Sequence, residues 1–484
     1  LLVFGTAPSY GQVDDIVING KSGSGDANNN TLGNDAGWRM LGPPVQGATP
    51  VDLTSPQDAA GSVIEFDLPT GDKMFYEWDD SAGDFSAVTD SAVSSSFENG
   101  RGYILFFFDD ENTQNADPID PDLTLEVESG TAPGNTAVTV GLNTGSNFHL
   151  LANPYDVAAR ANRIDNAEGS NIGSDDEFST TIQIWNGGDS SGEGDASQGS
   201  YCMFDITSNG TNVIDGQYAD ANSCNNGGQL SSWQAFFLEQ IGSRGDTEVT
   251  FARNSRTNKE VGNIVGDRDA LVNSNASLAK VGRSENSEGT SEHVRIGLSL
   301  EVENSEGAEI ARDVASALYF HSEATAGMDS RDASKLTPLT YPYAVLGPVG
   351  PTAEGDTAIK AQESRPLDQA LPLEVPLRLQ TEGQIEGTAT IQGRQWSGVP
   401  SDWTVTLIDT KGTSDPSDDV EHELTGSGSN GYEFTIGGES SQLSSRTTSI
   451  DPPGRRVGSN GYLPDQLSLT EKALGNDDNV QTSA

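Results

Sequence analysis

The chain has 484 residues, enough for several domains with sizeable cores. It carries 73 acidic residues against 26 basic ones, a formal net charge of −47, which argues against nucleic-acid and anionic-lipid partners because such a surface repels phosphates. No run approaches the ~20 apolar residues of a membrane-spanning helix, so no transmembrane span is expected.

Acid excess, few lysines and abundant Gly, Ser, Thr and Asp suggest a protein for concentrated salt. There the Debye length shrinks to about 3 Å at 1 M, screening self-repulsion, while hydrated carboxylates keep the surface soluble.

In chain order, residues 1–12 open with Leu1-Leu2-Val3-Phe4 and continue into small and polar residues. They read as a signal-peptide remnant ending in its cleavage zone; a buried first strand is the other reading. Residues 13–145 and 146–256 then read as two copies of one β module. Gly37-Trp38-Arg39-Met40-Leu41-Gly42-Pro43-Pro44 parallels Asn147-Phe148-His149-Leu150-Leu151-Ala152-Asn153-Pro154. The strand ending in Trp78 parallels the one ending in Trp185, and the aromatic strand from Tyr103 parallels the one around Phe236. The copies close on Leu123-Thr124-Leu125-Glu126-Val127 and Glu248-Val249-Thr250-Phe251. A duplicated set of short strands predicts a tandem scaffold in which Trp78 superposes on Trp185 and Tyr103 on Phe236.

The second copy carries a longer polar excursion between its tryptophan and its aromatic strand, and both cysteines, Cys202 and Cys224, fall inside it. Two cysteines bracketing one loop in an exported chain predict a disulfide. The only helical candidate is Asp156-Val157-Ala158-Ala159-Arg160-Ala161-Asn162. Residues 257–291 read as a linker. Residues 292–437 hold about eight alternating strands, the pattern of an Ig-like or jelly-roll-like β-sandwich. Residues 438–484 are rich in Ser, Gly, Pro and Asn and read as a mostly disordered tail. The fold class expected is all-β.

Chemistry is harder to find. Gly188-Asp189-Ser190-Ser191-Gly192 matches G-x-S-x-G but lacks the following helix that a nucleophile elbow needs, so it reads as a flexible hairpin loop. His149, His293, His321 and His422 stand far apart without metal-ligand spacing, which argues against a histidine-built zinc or base site. Carboxylates are so numerous that chance pairs will mimic a glycosidase dyad. The best site candidates are acidic loops: Asp109, Asp110, Asp117, Asp120 and Asp122, then Asp409 with Asp415, Asp418 and Asp419, and the tight turn bearing Asp329 and Asp332. Such loops supply oxygen ligands for calcium, or they are simply solvated surface in a halophilic chain. Arg244-Gly245-Asp246 reads as an ordinary turn, and Asn29, Asn209 and Asn275 open glycosylation triplets that matter only in a host that modifies them.

These motifs together resemble exported surface proteins of the Bacteroidota and related lineages, many of them cargo of the type IX secretion system. The similarity spans roughly residues 37–437. It rests on the paired openings, on Asp313-Val314, on Ala324-Thr325-Ala326-Gly327-Met328-Asp329 with Asp332-Ala333-Ser334-Lys335-Leu336, and on Leu371-Pro372-Leu373-Glu374-Val375-Pro376-Leu377. The strands Trp403–Asp409 and Tyr432–Thr435 fit as well, whereas a complete sorting domain after Tyr462-Leu463-Pro464 is missing. The resemblance implies an outer-surface location and a β-sandwich, and no particular activity.

The function expected is that of a non-enzymatic secreted or cell-surface structural or adhesive protein, self-associating or bound to other surface proteins or glycans, with no catalytic residue and no cofactor apart from the calcium reading. The rival is a secreted polysaccharide-acting hydrolase or its carbohydrate-binding appendage. Its mark would be an exposed platform drawn from Trp78, Trp185, Trp233, Trp396 and Trp403 beside paired carboxylates.

Overall fold

The computed structural model describes residues 16–18, 37–43, 47, 75–88, 96–107, 123–125, 133, 136–143, 147–155, 158–172, 177–186, 200–206, 229–230, 233–241, 245–255, 293–339, 342–352, 356–370, 373–383, 385–409, 417, 419–428, 430–437 and 466–471. Strands dominate these residues, so the all-β expectation holds.

The first copy comprises β1 (Ile16–Ile18), β2 (Gly37–Leu41), β3 (Phe75–Asp79), β4 (Asp84–Ala87), β5 (Tyr103–Phe107) and β6 (Leu123–Leu125). The second comprises β7 (Val138–Gly141), β8 (Phe148–Ala152), β9 (Ala159–Arg160), β10 (Ile164–Asn166), β11 (Thr181–Asn186), β12 (Ser200–Asp205), β13 (Gln229–Leu230), β14 (Ala235–Glu239) and β15 (Glu248–Phe251).

The two copies share topology and register. The first sheet runs β2-β5-β3-β4 and the second β8-β14-β11-β12. Leu41 pairs with Tyr103 as Leu151 pairs with Phe236. Tyr76 pairs with Ile104 as Gln183 pairs with Phe237, and Trp78 pairs with Phe85 as Trp185 pairs with Tyr201. Trp78 thus answers to Trp185 and Tyr103 to Phe236. The ribbon β1–β6 likewise answers to β7–β15, so β7 pairs with the second copy although it lies ahead of residue 146.

The copies are interlocked rather than strung in line. The Trp78 indole N–H donates to the Phe148 carbonyl at 2.6 Å, and the Trp185 indole N–H to the Trp38 carbonyl at 3.1 Å. Gly42 N donates to Trp233 O at 2.7 Å, and Ala152 N to Gly100 O at 2.8 Å. These bonds are reciprocal, as across a twofold axis. The bridges Leu41–Gln234 and Arg101–Leu151 repeat the pattern.

The helix expected over residues 156–162 is not found in its described part. Residues 159–160 form β9, paired with β13, and Ala161–Arg163 form a short 3-10 turn. The local pattern alternates: Ala159 and Ala161 are buried in the second copy's core while Arg160 is exposed. The preceding Asn153 side chain accepts the Tyr155 N–H at 3.1 Å, an Asx turn that leads the chain into an edge strand instead of a helix.

The third unit is one curled sheet. Its strands are β16 (His293–Glu303), β17 (Glu309–His321), β18 (Ala333–Ser334), β19 (Tyr343–Pro351), β20 (Thr357–Pro366), β21 (Leu373–Glu382), β22 (Gly387–Ser397), β23 (Trp403–Asp409), β24 (Val420–Leu424), β25 (Tyr432–Ile436) and β26 (Gln466–Glu471). The order is β24-β23-β26-β21-β19-β20-β17-β16-β22-β25, with β18 beside β20. β20 bends the sheet: its first half pairs antiparallel with β19 and its second half parallel with β17. The two wings fold over a shared core in which Ile296, Leu298 and Leu300 meet Leu346, Leu377, Val405 and Leu407. All eight strands expected here are present. Within the stretch read as a mostly disordered tail, residues 466–471 form β26, which completes the sheet between β21 and β23; the rest of that stretch lies outside the described residues.

A separate core joins all three units. Trp38, Met40 and Tyr76 of the first copy and Phe148, Trp185 and Phe237 of the second pack with Ala315, Ala317, Leu336 and Ala361 of the sandwich. Small alanines on β17 and β20 let the aromatic face of the repeats approach closely.

Candidate functional site

The described polar groups converge most densely where the second copy meets the sandwich. The turn from Ala324 to Asp332 is built by its own two aspartates. Asp329 accepts the N–H of Thr325 at 2.7 Å and of Arg331 at 2.8 Å, and the Ser364 hydroxyl at 3.0 Å. Asp332 accepts the N–H of Asp329 at 2.7 Å and of Ser364 at 2.8 Å. Both aspartates therefore work as turn caps, with their oxygens directed at backbone donors. Among the described residues no cluster of three or more His, Cys, Asp or Glu has metal-binding geometry. The calcium reading of this turn gives way to a structural one.

The outer backbone of the turn docks on the second copy. Thr180 N donates to Ser330 O at 2.6 Å, the Ser179 hydroxyl to Asp332 O at 2.7 Å, and the Gln183 amide to Ser334 O at 2.9 Å. In return, Ser334 N donates to a Glu239 carboxylate oxygen at 2.7 Å. Gln362 stitches the seam from β20: its amide N–H₂ reaches Thr181 Oγ1 at 3.1 Å and Arg331 O at 2.9 Å, and its oxygen accepts Arg295 at 2.9 Å.

Behind the turn lies a buried charged row. Lys360, Glu363 and Asp332 are each at most 1% exposed. Arg365 meets Glu363 Oε1 at 2.7 Å, whereas Glu363 Oε2 has no hydrogen-bond partner. Gly350 on β19 makes the room: a Cβ there would fall 1.7 Å from that oxygen. Burial, reinforced by the neighbouring Glu363 carboxylate, pushes Asp332 up to about 7. Burial also raises Glu363, against the pull of Arg365 and Lys360.

A second buried pair sits on the same segment. Lys335 Nζ lies 2.7 Å from each Asp313 carboxylate oxygen, 3.0 Å from the Ser316 hydroxyl, and bonds the Ala315 carbonyl. Asp313 also accepts Leu346 N at 2.7 Å and Ala315 N at 3.0 Å. Burial lowers the Lys335 ammonium and Asp313 opposes that shift. Every ammonium proton has an acceptor, the condition under which a buried ion pair is tolerated.

The third cluster joins the two copies. His149 is fully buried, with Nδ1 3.3 Å from Asp80 and Nε2 3.4 Å from the Gln240 amide oxygen. Arg101 meets Asp80 at 2.7 Å and also bonds the Gly141 carbonyl. Burial raises Asp80, but His149 and Arg101 together outweigh it and hold the carboxyl below its ordinary value. The arrangement resembles an acid–histidine pair, yet Gln240 stands where a nucleophile would, so the pair braces the joint.

The remaining candidates from sequence are dispersed. His293 and His321 face each other across β16 and β17, each stacked on Tyr319. His422 lies on β24 against Tyr432, and Asp409 accepts the Tyr432 hydroxyl at 2.5 Å. The five tryptophans proposed as a sugar platform all pack against other side chains or bond backbone carbonyls. Trp185 and Trp233 are 3% and 1% exposed, and Trp78, Trp396 and Trp403 are half-buried. Asp109, Asp110, Asp117, Asp120, Asp122, Asp415, Asp418, Ser190, Arg244 and Cys224 lie outside the described residues. So do residues 1–12 and 257–291, and Asn29, Asn209 and Asn275. Cys202 lies on β12, its backbone opposite Ile184.

Sequence reasoning missed Lys335, Asp313, Lys360 and Glu363. The signal was there: single charges interrupt apolar strand positions, as in Ala358-Ile359-Lys360-Ala361. In a chain so rich in carboxylates, that signal reads as surface.

The fold and seam define a multi-sheet β protein whose paired repeats are bolted onto a curled sandwich. No family model, no curated protein and no solved structure matches the chain. Among the described residues no helix is long and apolar enough to cross a membrane, which says nothing of strands.

Proposed function

We infer that this protein is a non-enzymatic structural or adhesive element of an extracellular or cell-surface layer, assembling with copies of itself or with other surface proteins or glycans. One observation carries the reading: buried polar groups bond unit to unit, through Ser179, Gln183 and Glu239 between the second copy and the sandwich and through Trp78, Trp185 and the His149–Asp80 pair between the copies. A body braced at each joint suits a load-bearing part. Acidic edge strands, with Glu421 and Glu423 on β24 and Glu433 on β25, would discourage edge pairing in dilute buffer and permit it once salt screens them. Export in the manner of type IX cargo, a halophilic setting, calcium in the loop bearing Asp109, Asp110, Asp117, Asp120 and Asp122, and a Cys202–Cys224 disulfide belong to this proposal.

The test is the state of the protein recovered from its own cells in molar salt. Polymers or sheets resolved by electron microscopy support it; a freely soluble monomer that hydrolyses polysaccharides overturns it in favour of the hydrolase reading.

A further inference from the structure

The Asp332–Glu363 pair does more than cap a turn. Asp332 uses both oxygens on backbone N–H groups of the turn and of β20. Glu363 Oε2 is buried with no donor to meet it. Asp332 accepts the N–H of Ser364, the residue after Glu363 on β20, which brings the two carboxyl groups into one buried neighbourhood. Two carboxylates held together out of water cannot both stay ionised, and a proton between them supplies the donor that Glu363 lacks.

We propose that Asp332 and Glu363 share one proton when the seam is closed, and that this proton latches the Ala324–Asp332 turn onto the second copy, so that the seam tightens as pH falls. The other charges facing the pair are fixed in place. Asp329 on the turn adds repulsion, and Lys360 and Arg365 on β20 add attraction. Arg331 is paired with the exposed Glu323 at 2.7 Å, and Glu239 of β14 is bonded to Ser334.

The sign follows from linkage. Asp332 is raised to about 7 when closed, so its contribution is complete below the ordinary carboxylate range near 4 and is lost as pH rises through about 7. One proton released on opening changes the opening equilibrium up to about tenfold per pH unit across that window.

The experiment is amide exchange on the full chain in constant molar salt from pH 5 to 8.5, corrected for intrinsic rates, reading Thr180, Asp329 and Ser364. Protection of these amides should fall up to about tenfold per unit between pH 5 and 7 and level off above 7. In Glu363→Gln the amide supplies a permanent donor to Asp332, so the step should disappear while protection stays high at every pH. Infrared spectra give a second readout: a protonated-carboxyl band present at pH 6 and absent from both Glu363→Gln and Asp332→Asn. Seam protection that is flat in the wild type, or a step that persists in Glu363→Gln, overturns the proposal.

Discussion

The two copies run the same register, yet at several places where they touch they have settled on different residues. Gly42 and Ala152 occupy equivalent positions and lie against each other; a Cβ on Gly42 would sit 2.3 Å from that of Ala152. Gly102 and Ala235 are likewise equivalent, and a Cβ on Gly102 would lie 2.9 Å from that of Ala235. A symmetric pair with alanine at both sites would clash, and with glycine at both it would leave a gap. Duplication within one chain removes that restriction, because each copy can take one half of the solution. The same division of labour appears at the core. Phe237 makes edge-to-face contacts with Trp78, Phe85, Phe148 and Tyr201, at centroid distances of 5.0, 6.0, 6.1 and 6.1 Å. Its equivalent in the first copy is the aliphatic Ile104. It appears again at Trp233, the only non-glycine with positive φ among the described residues (57°), which stands where the first copy has Gly100 (φ 87°).

These differences can be tested in order of expected size. Phe237→Ala should cost about 4–5 kcal/mol, near the top of the range for aromatic truncation, because four ring contacts go with it. Ile104→Ala should cost about 3 kcal/mol. Equal losses in denaturant titrations would show that the hub is not asymmetric.

Gly42→Ala should cost about 1–3 kcal/mol by overpacking. The double variant Gly42→Ala with Ala152→Gly should recover most of that, since it exchanges the two halves of the axis pair. A double variant as unstable as the single would break the axis argument.

Salt comes next. The melting temperature should rise between dilute buffer and about 2 M salt as carboxylate repulsion is screened. The test is calorimetry across that range, and an unchanged melting temperature would count against the halophilic reading.

The smallest effect is expected at the joint between copies. Asp80 is held below its ordinary value, so its contribution is present above the usual carboxylate range near 4 and is lost as pH falls below it. Asp80→Asn should therefore lower stability by about 1–2 kcal/mol above pH 5 and by little well below pH 4, which flattens the acid limb of the stability curve.

Much of this scaffold could be read from residues alone. The aromatic anchors Trp78 and Trp185, followed by the strands of Tyr103 and Phe236, identified the duplication, because period-2 patterning and tryptophan are local signals. The sandwich strands were legible for the same reason. The interlock of the copies was not, since Trp78 bonds a carbonyl 70 residues away and nothing local encodes that partner. β26 was hidden because its six residues are flanked by Ser, Gly and Pro. The seam was hidden by charge: Asp332 and Glu363 look like the many other acids of the chain, and only the fold shows that they are buried.

The position of β26 sets a timetable. Among the described strands, the backbone ladder of the β23–β24 hairpin joins the rest of the sheet only through this strand. Until residues 466–471 arrive, an open slot separates β21 from β23, with unpaired N–H and C=O groups on both banks. The pairing that closes it is among the most distant along the sequence, which makes it a late and slow step. While the slot stands open, the half-built sandwich offers any passing strand the same invitation it holds for its own.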